Sequence, residues 1–219
     1  ELEQSGLAVP AAAGDVRPRL NSARLAVAEQ LLSGGQEQQA PALALLEQVR
    51  QEDPQNSGLL TLDGQLLLRK EPPELDKAET LFRQASEADA NNAGAWMGLG
   101  QVANSRGDTA KAAEYVERAA ALAPNSAAIQ LQLAQLNVRL GRFLLAEKSL
   151  LSVLSRLRED ANADRALALE LLATCYVAGK RLLDAEQTIA RLESAVNQDP
   201  AWTERIATLK SNLLLAKGS

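Results

Sequence analysis

Apolar residues recur along this chain at helical spacing, in short blocks separated by polar turns. Between Ala93 and Ser126, Trp96, Leu99, Gly100 and Ala103 fall on one face, and Ala112, Tyr115, Val116 and Ala119 on another. Gly107 separates the two blocks, because glycine takes the left-handed conformation that ends a helix without a Cβ clash. Asp108 or Thr109 is placed to cap the second block, and Pro124 stops it, since proline cannot continue a helix interior. The pattern predicts two helices facing each other. It then repeats: Leu133, Gly141 and Ala146 each stand 34 positions after Leu99, Gly107 and Ala112. That constant offset predicts an array.

Flanking units follow the same scheme less regularly. In residues 21–56, Asn21-Ser22 is placed to cap a helix with Leu25, Val27, Ala28, Leu31 and Leu32 on its apolar face, ended by Gly34-Gly35. A second helix from about Ala40 presents Ala42, Leu45, Leu46 and Val49. Residues 57–92 carry Leu60, Gly64 and Leu67, then Ala78, Phe82 and Ala85, with Pro72-Pro73 stiffening the turn between them. The central units are 93–126 and 127–160; residues 161–165 interrupt the period. A fifth unit, 166–199, has Leu172-Ala173, Tyr176, Gly179, Ala185 and Ile189. A last stretch, 201–217, sets Trp202, Ile206, Leu209, Leu213 and Leu214 on one face and reads as a capping helix. Residues 1–18, rich in Ala, Gly and Pro, read as a flexible leader, either a tether to an upstream anchor or a remnant of processing.

The order of Trp, Leu-Gly, Ala, Val, Ala and Pro within about 34 residues resembles a tetratricopeptide repeat. The resemblance implies an all-α fold: a right-handed α-solenoid of about five helix pairs plus a C-terminal capping helix, whose stacked pairs share one core. It also implies a non-catalytic interaction scaffold, with the first helix of each pair lining a concave groove.

Composition narrows the function. The chain is 46% apolar but only 3% aromatic, which suits helices packed through alanine and leucine. Its net charge of −5 disfavours a nucleic-acid partner. With no histidine and only Cys175, a His-based triad, a His-ligated metal and a cysteine-rich zinc site are excluded. Cys175, flanked by Leu171, Leu172 and Tyr176, reads as a packed thiol. Glu52-Asp53 and Glu159-Asp160 sit at turns as solvated charges, and no phosphate-binding glycine loop appears. No cofactor or metal is expected, and no apolar run reaches the length of a membrane span.

What remains is the groove. One row along it is expected to hold Gln65, Gln101 and Gln135, extended outward by Glu29 and Thr174. A second row holds Leu25, Thr61, Met97, Leu131 and Glu170; a third holds Leu32, Leu68, Asn104 and Val138, with Arg69 and Arg139 beside it. Glutamines in register can donate to and accept from the main chain of an extended peptide. Met97 and Leu131 suit apolar side chains, and Arg69 and Arg139 suit acidic ones. The Lys and Asn pattern of carboxylate-clamp relatives is absent, so a partner's C-terminal carboxylate is not the expected ligand.

The Ala/Leu/Gln/Arg-rich style is similar to bacterial periplasmic lipoproteins with tetratricopeptide repeats in pilus-assembly or export systems. That similarity implies a protein or peptide partner, a periplasmic or outer-membrane-associated location ahead of a cytoplasmic one, and a lipid anchor upstream of the leader. An accessory domain of a larger enzyme or polysaccharide synthase, and self-assembly through Leu213 and Leu214, are the alternatives.

Overall fold

A computed structural model of the chain describes residues 16–157, 162–196 and 199–218. The leader expected over 1–18 lies outside these for residues 1–15, as does Glu159-Asp160. The described residues form eleven α-helices and no strand: α1 (Arg17–Leu32), α2 (Gln39–Glu52), α3 (Ser57–Leu68), α4 (Leu75–Ala88), α5 (Ala93–Ser105), α6 (Thr109–Leu122), α7 (Ala127–Arg139), α8 (Phe143–Leu154), α9 (Asn162–Ala178), α10 (Leu182–Val196) and α11 (Pro200–Gly218). Each odd helix from α1 to α9 packs on the even helix after it, and successive pairs stack into one solenoid.

Side-chain caps set where the central helices start. Asn56 accepts from the Gly58 and Leu59 amides, Asn92 from Ala95, and Asp108 from Lys111. Between paired helices, Gly107 and Gly141 take φ of +84° and +72°, and the next amide, Asp108 or Arg142, donates back to Ala103 or Asn137. In the fifth pair that left-handed position falls on Lys180, at φ +55°, with Arg181 N–H donating to the Tyr176 carbonyl. The expected Gly179 stands one residue too early. The chain therefore carries a side chain where a glycine fits.

The ends also differ from expectation. Helix α1 starts at Arg17, four residues before the expected cap, with Pro18 in its first turn. Asn21 is instead buried inside the helix, where its Oδ1 accepts from Arg24, which also pairs with Glu52. Val27, expected on the apolar face, is half exposed. Asn162–Arg165 are helical rather than an interruption, because α9 simply begins earlier. In α11, Ile206, Leu209 and Leu213 are buried, whereas Leu214 is 66% exposed. Helix α11 contacts both α9 and α10, so it takes the position of the first helix of a further pair.

The tightest packing is around Phe82, which has no exposed surface. Its ring is inserted between α3 and α5, and both helices meet it through glycine. A Cβ on Gly64 would lie 2.7 Å from the ring and one on Gly98 only 2.3 Å. Gly100 does the same for α6, where a Cβ would lie 2.5 Å from Val116 Cγ2. Alanine in place of a helical glycine gains about 1 kcal/mol of helix propensity, but overpacking a close-packed core costs about 1–3 kcal/mol. Because the same ring edge also abuts α3, it has nowhere to retreat. Gly98→Ala should lower stability by about 1 kcal/mol net, and adding Phe82→Leu should recover part of that loss. Urea denaturation of the three variants measures both effects. Lys180→Gly should instead raise stability by about 1 kcal/mol by removing the left-handed strain, read from the same midpoints.

Candidate peptide-binding groove

The odd helices form a row along one face. Within it α1 touches α3, α3 packs on α5, α7 on α9 and α9 on α11, but α5 and α7 barely meet. Where they stand apart lies a concavity of about 320 Å³. Gln101 and Asn104 line it from α5, Gln132, Gln135 and Arg139 from α7, with Leu131 among its lining residues. Gln101 is half-buried and Gln135 exposed. Among the described residues, neither side-chain amide has a hydrogen-bond partner.

The expected groove residues thus separate into two groups. Gln101, Gln135, Asn104, Leu131 and Arg139 share this concavity. Gln65 and Thr61 line another, of about 580 Å³, beside α1. Met97 is half-buried against the core of the central pair and lines neither. Leu131 is 4% exposed and packs with the core around α9, so it supplies floor rather than a free apolar surface. The Thr61 hydroxyl donates to the Ser57 carbonyl and accepts from the Asn92 amide at 3.0 Å, which ties α3 to the start of α5.

Both expected acid-binding arginines are engaged internally. The Arg69 guanidinium donates to the Leu32 carbonyl at 2.9 Å. Arg139 donates to the Asn104 side chain and, at 3.0 Å, to the Thr109 hydroxyl, bridging the gap between α5 and α7. Glu170 pairs with Arg205 of α11, whose guanidinium stacks 4.0 Å from the Trp202 ring centre, and Thr174 donates to the Glu170 carbonyl. Glu170 and Thr174 therefore close the C-terminal end of the row. This closure was missed in the sequence, although Arg205 follows Glu170 by 35 positions, one repeat length with opposite charge.

Arginines also join pairs on other faces. Arg106 pairs with Asp76 and Glu79, Arg142 with Glu117, and Arg181 with Glu147. The Arg106 and Arg83 guanidiniums hold the Glu79 carboxyl below its ordinary value. Burial, with the Glu147 charge nearby, pushes the Cys175 thiol up to about 11, so it carries almost no thiolate at neutral pH. Among the described residues no helix is long and apolar enough to cross a membrane.

A row of stacked helix pairs with a concave face defines the class: an α-solenoid. Residues 74–127 match the family model of the tetratricopeptide repeat, and the fold of the chain matches that of solved tetratricopeptide-repeat solenoids. No protein of curated function matches the sequence. Among solved structures it is similar to PilW, described as a widely conserved type IV pilus biogenesis factor, at 21% identity and TM-score 0.65, over 91% of this chain and 90% of that one. It is similar to a tetratricopeptide repeat protein from Parabacteroides merdae at 17% identity and TM-score 0.63, over 94% and 77%. It is also similar to YrrB, described as having an unusual peptide-binding site, at 18% identity and TM-score 0.60, over 80% and 93%. At these identities the likeness is one of fold.

The Glu79 ion pairs make part of the stacking energy pH-dependent. A carboxyl held low in the folded state stabilises fully above its unfolded value, 4.5, and loses that stabilisation as pH falls through the folded value. Glu79→Gln should therefore flatten the fall in stability between about pH 5 and pH 3. At neutral pH it should cost no more than about 1 kcal/mol. Urea midpoints across that range measure the difference.

Proposed function

We propose that the protein is a non-catalytic scaffold that holds an extended segment of a partner protein in its concave groove, along Gln101 and Gln135. The observation that carries this reading is the pair of unpartnered amides facing one concavity where α5 and α7 part. An amide side chain satisfies a peptide N–H with its oxygen and a peptide C=O with its nitrogen, so two in succession recognise backbone more than sequence. Arg139 and Asn104 fix the width of the opening, and Leu131 forms its floor.

We further propose that this partner belongs to an assembly machine of a bacterial envelope, such as a pilus or secretion system. The protein would then work in the periplasm or at the outer membrane, held by a lipid anchor. The end-to-end similarity to the pilus biogenesis factor supports this setting, as does the alanine-, leucine- and glutamine-rich composition.

Peptides selected from a random display library on the intact protein test the groove. Gln101→Ala combined with Gln135→Ala should weaken their binding about tenfold or more, with helical content and urea midpoint unchanged. Calorimetry that finds equal affinity for both proteins would remove this groove from consideration.

A further inference from the structure

Leucines stand out of the solenoid along one stretch of its edge. Leu144 is 81% exposed, Leu145 54%, Leu183 67%, Leu214 66% and Leu215 71%. Leu144 and Leu183 are the second residues of α8 and α10, and Leu214 and Leu215 lie near the end of α11. All five are therefore on the edge where odd helices end and even helices begin. Ion pairs join the three places in series: Arg181 before α10 reaches Glu147 of α8 at 2.6 Å, and Lys217 of α11 reaches Glu186 of α10. Single exposed leucines are ordinary on a protein surface, but a line of them at successive turns marks a surface that meets something. The same edge at the turns leading into α4 and α6 carries Glu71, Glu74, Asp76 and Asp108, with no leucine so exposed.

Cations stand beside these leucines. Arg142 precedes Leu144 by two positions, Lys180 and Arg181 precede Leu183, and Lys217 follows Leu215. Their carboxylate partners Glu117, Glu147 and Glu186 lie a turn or more further from the tips; Asp184, beside Leu183, is held by Arg181. Lys148, one turn after Leu144, and Lys180 form no ion pair with any described residue. Lys180 also holds the left-handed position that favours glycine, so the backbone carries a cation at that tip at some cost.

We propose that this edge docks the protein on a membrane surface rich in anionic lipid, with the leucines below the headgroups and the lysines and arginines among the phosphates. Side chains that protrude from separate turns, and line neither concavity described above, suit a fluid apolar layer; a protein partner is anchored by side chains seated in pockets. Long cationic side chains reach back to headgroup level while their apolar neighbours sink. The net charge of −5 repels the rest of the chain from such a surface, so the cations at these tips set which edge approaches. This docking is independent of the groove, which opens on the odd-helix face, and it needs no attached lipid.

Flotation of the intact protein with vesicles of phosphatidylglycerol and phosphatidylethanolamine, beside vesicles of phosphatidylcholine alone, tests the proposal. At about 0.1 M salt the protein should float with the anionic vesicles and far less with the neutral ones. Leu144→Ser/Leu183→Ser/Leu215→Ser should lower the partition coefficient more than about tenfold, with circular dichroism and urea midpoint unchanged. Lys148→Gln/Lys180→Gly should lower it about fivefold per cation. Glycine relaxes that turn, so this loss should come with a urea midpoint no lower than wild type, which separates it from unfolding. Peptide affinity at Gln101 and Gln135 should be the same in both variants. Wild-type protein that stays in solution beside anionic vesicles would overturn the proposal, as would equal flotation of the serine variant. Light scattering that finds a mass rising with concentration in wild type but not in the serine variant, without flotation, would make this edge an interface between copies and overturn the lipid reading. None of these results bears on the glutamine groove.

Discussion

Phe82 is the largest side chain with no exposed surface, and it occupies the place where two helix pairs become one body. Its ring can enter between α3 and α5 only because Gly64 and Gly98 carry no Cβ there. A repeat protein has no core apart from what its neighbours supply, so each junction between pairs must bury apolar area from both sides. Here an aromatic ring fills the space that two glycines vacate, and the helices close around it. Elsewhere alanines at 78, 85, 112, 119, 146 and 185, all without exposed surface, perform the same task with less bulk. The close approach of the backbones explains why the chain is rich in alanine and poor in aromatic residues.

Polar side chains at one-repeat spacing complement this core. Arg69 reaches the Leu32 carbonyl, Arg106 reaches Asp76 and Glu79, and Arg139 reaches Asn104 and Thr109. Each guanidinium springs from the C-terminal end of the first helix of one pair and grips the pair before it. Individually such exposed contacts contribute little. They recur at successive junctions, and Arg139 spans the one place among the described residues where the first helices are not closely packed. The opening between α5 and α7 is thus a braced feature of the solenoid. The two free amides at its mouth are what make it a candidate for holding another chain.

The two concavities differ in what lines them. The one at Gln101 and Gln135 is lined mainly by amides, with Arg139 and Asp164 beside them, and the one beside α1 by Gln65, Thr61 and the carboxylates Glu29 and Asp89. Toward the C-terminus the row is shut by Glu170, Arg205 and Trp202, which satisfy one another. The row therefore leaves side chains open along the first four pairs and engages them with one another at α9 and α11.

Much of the fold was legible because helical period and turn chemistry are local. Leu99, Val116, Leu133 and Leu150 announce their faces by spacing, and Gly107 and Gly141 announce the turns, since few residues but glycine relax at positive φ. Lys180 escaped for the same reason: the backbone demands the left-handed conformation there whatever residue the sequence supplies. The groove was legible only as a register. Position along a helix says that Arg139 and Gln135 face one way, but not that the guanidinium turns back to Asn104 while the amide stays free. That depends on which groups lie within reach across a gap, and distances between repeats are set by packing. The sequence by itself determined the helices, their pairing and the row they share. Tertiary structure alone decided which side chains are committed to the solenoid and which are left to bind, because a hydrogen bond between repeats links residues about 35 positions apart.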